Sequence, residues 1–243
     1  MRKKIFAVIL VIAMIVLASC DQPKAPEDGG KAPLAYIDDF RLYKGEEVIF
    51  SEDFQKAESA EKFCPYHTGD NPDESTHDSF VGTFKVQDGV AKAYANSAWI
   101  SFKDLDAKNN EYEIVYRIML DKSYSLSPEE GTKKATTLLT MNYGNMDDWS
   151  SECYSFSKDE DGLYIYDSSP SVLNDTKYRL EPETWYTIST KYAPFKDGET
   201  VKIRMTTSIL IGDRTKTINE AVFNAADKAA YCWDIYFPAP AAE

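Results

Sequence analysis

Two glutamates two residues apart, Glu111 and Glu113, are the first side chains in this sequence that invite a catalytic reading. On a strand, residues i and i+2 share a face. A carboxyl pair about 5–5.5 Å apart is what retaining hydrolysis of a glycosidic bond requires. Both, however, open a run in which Tyr112, Ile114, Tyr116, Ile118 and Leu120 line the other face. Acids alternating with such a stripe belong to a solvated outer face. A nucleophilic triad has no basis either, because the only two histidines, His67 and His77, fall in one segment, residues 64–79. That segment also holds Asp70, Asp73, Glu74 and Asp78, so imidazole and carboxylate donors for a divalent metal are present. Their spacing matches no ligand pattern, and with Pro65 and Pro72 the stretch reads as a long exposed loop.

Better binding chemistry stands in Asn142-Tyr143-Gly144-Asn145-Met146-Asp147-Asp148-Trp149. Sugars present apolar C–H faces and hydroxyls, so their sites pair an aromatic platform with carboxylate or amide groups. Asn142, Tyr143, Asp147, Asp148 and Trp149 are therefore candidate ligand-binding residues, expected in a loop between strands. Trp99, after Asn96-Ser97-Ala98, joins them. Trp185, Tyr186 and Trp233 lie within strand patterns and are assigned at least in part to the core.

At the amino terminus, Met1-Arg2-Lys3-Lys4 precedes an unbroken apolar run of 14 residues, Ile5 to Ala18. That is short of the roughly 20 residues a spanning helix needs, and it has the form of an export signal. Leu17-Ala18-Ser19-Cys20 resembles the lipobox of bacterial lipoproteins, in which a signal peptidase cuts before a lipidated cysteine. The resemblance implies a signal peptide over residues 1–20, a lipid anchor on Cys20 and a domain exported into the cell envelope. Two acyl chains on one cysteine suffice for stable anchoring. Asp21 to Pro33, with three prolines and Gly29-Gly30, reads as a flexible acidic tether. Residues 34–243 read as one domain.

The chain carries 27 basic and 40 acidic residues, a net charge of −13. Loss of Arg2, Lys3 and Lys4 with the signal leaves 24 against 40, a net of −16. Such a surface repels phosphate backbones, which excludes nucleic acid as a partner. Beyond Cys20 there are three cysteines, Cys64, Cys153 and Cys232, enough for at most one internal bridge with one thiol over. None has CxxC or metal-site spacing, and the simplest reading is three buried, reduced thiols.

The elements that must position these residues are strands. Apolar residues recur with period two in Tyr36–Tyr43, Val48–Phe50, Glu111–Leu120, Thr136–Tyr143, Tyr154–Phe156, Leu163–Tyr166, Trp185–Lys191, Val201–Ile211 and Tyr231–Phe237. Lys44-Gly45 turns the first run into the second. Asp88-Gly89 between Phe84–Val86 and Val90–Tyr94 is a hairpin signal, since both positions tolerate positive φ. Helical spacing is confined to Ala57–Phe63 and the alanine-rich Glu220–Ala230. About ten short strands separated by turns indicate an all-β antiparallel two-sheet sandwich with one or two short helices.

The order of Glu-Val-Ile-Phe-Ser-Glu-Asp-Phe (47–54), Val-Gln-Asp-Gly-Val (86–90), Glu-Tyr-Glu-Ile-Val-Tyr-Arg (111–117), Thr-Trp-Tyr-Thr-Ile (184–188) and Trp233-Asp234-Ile235 resembles the concanavalin A-like lectin/glucanase (LamG-like) jelly roll. The Asp38-Asp39-Phe40 stretch departs from it, since that motif more often closes such domains. The resemblance implies a jelly roll and a structural calcium of the kind often held where first and last strands meet, with Glu52, Asp53 and Asp234 the nearest candidates; charges on an edge strand opposing aggregation are the other reading of the same residues. Glucanases of this kind carry Glu-x-Asp-x-x-Glu, and here no glutamate has an aspartate two residues later. The expected function is a membrane-anchored, non-catalytic carbohydrate-binding or adhesion module. An envelope scaffold or a host-protein-binding lipoprotein is the alternative, and a glycoside hydrolase or lyase with an atypical site comes third.

Overall fold

The computed structural model describes residues 33–65, 84–93, 96–122, 136–145, 150–168 and 177–237. Within them the strands are β1 (Ala35–Lys44), β2 (Glu47–Glu52), β3 (Cys64–Pro65), β4 (Phe84–Gln87), β5 (Val90–Ala93), β6 (Asn96–Leu105), β7 (Tyr112–Leu120) and β8 (Thr136–Asn145). They continue as β9 (Ser150–Asp159), β10 (Gly162–Asp167), β11 (Lys177–Arg179), β12 (Tyr186–Asp197), β13 (Thr200–Ile211), β14 (Arg214–Asn224) and β15 (Ala229–Phe237). One short 3-10 helix, Ala57–Lys62, follows β2.

Every pairing is antiparallel. An eight-stranded sheet runs β14-β13-β12-β7-β1-β5-β4, with β2 beside the second half of β1. A seven-stranded sheet runs β11-β10-β9-β8-β15-β6-β3. The all-β expectation holds, and two turns behave as their sequences require. Asp88 and Gly89 both take positive φ (58° and 76°), and Gly45 (59°) turns β1 into β2.

One element departs from expectation. Residues 220–230 are not helical: Glu220 to Asn224 end β14, and Ala229 and Ala230 begin β15. Alanine favours helix by only a fraction of a kcal/mol per residue. The continuous ladder of β14 with β13, from Ile211↔Arg214 to Lys202↔Asn224, outweighs that preference.

The sheets meet face to face through aromatics. Phe40 of β1 packs on Trp233 of β15 (ring centroids 5.2 Å), Phe63 (5.4 Å) and Tyr116 of β7 (6.0 Å). Tyr192 of β12 stacks on Tyr231 of β15 at 3.8 Å. The hydroxyls of Tyr116 and Tyr154 hydrogen-bond to each other across the interface, and burial pushes the Tyr116 phenol above its usual range. Each such ring contributes about 1.5–3 kcal/mol by leaving water. At one side the Tyr178 hydroxyl of β11 donates to the Thr217 carbonyl of β14 at 2.8 Å, joining the two sheet edges.

Candidate functional site

The β7 pattern alternates without a break, Tyr112, Ile114, Tyr116, Ile118 and Leu120 being buried and the residues between them partly exposed. In β1 the alternation slips: Ala35, Ile37, Phe40 and Leu42 are buried, so two residues rather than one separate Ile37 from Phe40. The slip is a β-bulge, where the register with β7 shifts between Asp38 and Arg41. Asp39 takes φ +52° there, and its amide donates to the Asp38 carboxylate at 2.8 Å.

That bulge sits on the outer face of the eight-stranded sheet, among side chains of several chemistries. Arg41 pairs with Asp39 and reaches the Tyr43 hydroxyl at 3.5 Å. The Tyr43 oxygen and the Asp39 carboxylate together push the Arg41 guanidinium further above its already high range. Arg117 donates to Asp38 at 3.3 Å and lies over the Trp185 ring at 4.8 Å. The Tyr36 hydroxyl donates to Asp121 at 3.1 Å. Cross-strand register extends the face through Asp38–Arg117–Thr187–Leu210 and Arg41–Val115–Ser189–Ser208. The face thus offers three half-buried aromatics, two guanidiniums, three carboxylates and short hydroxyl side chains, with Val115 and Leu210 as apolar neighbours. It can accept and donate hydrogen bonds to a polyhydroxylated ligand and lay a ring against its C–H face.

The nominated residues are distributed otherwise. Asn142 and Tyr143 do not lie in a loop; they belong to β8, which runs on to Asn145. Tyr143 shares the register of the core residue Trp233, whereas Asn142 pairs with Asp234. Asp234 in turn pairs with Trp99 of β6, so Trp99, Asp234 and Asn142 occupy one rung of the seven-stranded sheet. Asp147, Asp148 and Trp149 lie outside the described residues, as do Cys20, His67, His77 and the acids between the histidines. Of the tryptophans in strand patterns, Trp233 is core and Trp185 is half-buried on the outer face under Arg117.

Glu52 ends β2 in one sheet with Asp53 just after it, and Asp234 stands in the other. Glu52, buried, accepts from the Phe54 amide at 3.0 Å, the Ser59 hydroxyl at 2.6 Å and the Lys62 ammonium at 2.5 Å. Burial works against its charge, but the donors from Lys62, Ser59 and Phe54 outweigh it and hold the carboxyl below its usual range. Asp53 is exposed and accepts from the Gln55 amide. Among the described residues, no three His, Cys, Asp or Glu side chains gather as metal ligands. Glu111 precedes β7 and pairs with Lys191 at 2.7 Å, while Glu113 lies in register between Tyr43 and Lys191.

The outer-face group was not nominated from sequence, although a signal for it exists. Apolar positions three apart inside a strand, Ile37 and Phe40 around Asp38-Asp39, mark a bulge that presents the acids between them. Comparison with family models, curated proteins and solved structures finds no match to this chain.

Proposed function

We propose that this chain is a membrane-anchored lipoprotein that displays a non-catalytic, carbohydrate-binding β-sandwich of the concanavalin A-like jelly-roll type. The lipobox-like Leu17-Ala18-Ser19-Cys20 supports the anchor, and the acidic Asp21–Pro33 stretch supports a tether. The observation that carries the binding reading is the outer face around the β1 bulge, where Tyr36, Tyr43 and Trp185 share a surface with Asp38, Asp39, Arg41 and Arg117. Both guanidiniums already face a carboxylate, so the ligand is a neutral glycan, bound by paired donors and acceptors, rather than a uronic or sialylated one.

A glycan array read with the purified protein tests this. Trp185→Ala and Arg41→Ala are each expected to weaken binding to neutral glycans by about tenfold or more, an effect of roughly 1.4 kcal/mol. Binding lost in Trp149→Ala but kept in both of these would move the site to the β8–β9 connection. No binding to any glycan would overturn the reading.

A protein partner is the second reading, favoured by Val48 (46 % exposed) and Ile49 (42 %) on β2, which among the described residues pairs on one side only, with β1. Cross-linking in intact cells that captures one stoichiometric protein through β2, together with a silent glycan array, would select it.

A further inference from the structure

Three cysteines remain when Cys20 is set aside, and the strand register fixes how far apart they are. Cys64 of β3 lies opposite Trp99 of β6, and Trp99 opposite Asp234 of β15. Asp234 lies opposite Asn142 of β8, and Asn142 opposite Cys153 of β9. Cys64 and Cys153 therefore end a single rung four interstrand steps long, about 19 Å at about 4.8 Å a step. Cys232, in β15, stands two steps from β3 and two from β9, about 10 Å sideways in each case before its offset along the strand is added. A disulfide requires Cα atoms no more than about 7 Å apart. Each of the three possible pairs exceeds that limit.

We infer that the folded chain contains no disulfide among Cys64, Cys153 and Cys232, and that any sulfur bridge one of them makes is to a second molecule. The absence of a bridge among the three rests on register alone, the assignment of any bridge to a second molecule also takes Cys20 as lipid-bound, and both stand apart from the glycan reading. The inference touches the anchor reading only through Cys20, whose sulfur a lipid would occupy.

The test uses the full chain, purified from an oxidising host without reductant, unfolded in excess iodoacetamide and digested unreduced for mass spectrometry. Carbamidomethyl groups on the peptides of all three cysteines are expected, or a linkage found only in species heavier than the monomer. A peptide joining two of the three within a monomer would overturn the inference. A monomer peptide joining Cys20 to one of them would overturn both this inference and the lipid anchor. A freely alkylated Cys20 beside three alkylated partners would overturn the anchor and leave the inference in place.

Discussion

Asp39 and Phe54 have almost the same backbone, φ +52° and +53°, a conformation that side chains other than glycine rarely adopt. Their surroundings are opposite. Phe54 is fully buried, its ring 5.5 Å from Phe63, and its amide is held by Glu52. Asp39 is partly exposed on an open sheet face and is held by a neighbouring carboxylate and an ion pair with Arg41. In the first case packing and a buried carboxylate impose the unusual backbone. In the second, short polar contacts stabilise it while the side chain stays within reach of solvent. Unusual backbone therefore marks structure at one site and a candidate for function at the other, and burial separates the two.

Mutations at the two sites should have unequal effects. Phe54→Ala is expected to lower stability by about 3–5 kcal/mol, as for other large core deletions, measured as a fall in the urea midpoint. A loss below about 1 kcal/mol would show that the corner does not anchor the fold. Glu52→Gln comes next, at about 1–3 kcal/mol at neutral pH, because the buried group facing Lys62 loses its charge. The folded Glu52 carboxyl is held below its unfolded value of about 4.3, so its contribution is complete above that pH. It is lost as pH falls through the lower folded value. The stability gap between wild type and Glu52→Gln should therefore narrow on acidification in a denaturation series from neutral to acid. A gap that stays constant would mean that Glu52 does not titrate with folding.

Asp39→Gly is expected to have the smallest effect on stability, a change within about 1 kcal/mol, since relief of the left-handed backbone is offset by glycine's entropy and the lost surface ion pair. Glycan binding by the same variant should weaken by about tenfold. Stability lost without any change in binding would make the bulge structural, like Phe54.

Much of this architecture was legible because period two is a robust signal wherever one face is buried. The Tyr112-to-Leu120 stripe and the Asp88-Gly89 turn could be read directly. Strand β6 could not, since its opening Asn96-Ser97-Ala98 carries turn-like residues ahead of the buried Ile100. The end of β14 was obscured by alanines whose local preference yields to pairing with β13. The outer-face group was hidden for another reason. Tyr36, Asp38, Arg41, Arg117 and Trp185 come from β1, from β7 and from just before β12, and only the β1–β7–β12 order of the sheet makes them neighbours.

The place of β1 in that order has a mechanical meaning. The strand begins at Ala35, and its first residues pair with β5 on one side and β7 on the other; its last residues pair with β2 and again with β7. Tension applied through the residues ahead of Ala35 would run along the strand axis, across hydrogen bonds that lie perpendicular to it. Both ladders would then carry the load together in shear instead of opening one bond at a time. A domain pulled by its amino-terminal end would resist extension at the very strand that presents the bulge.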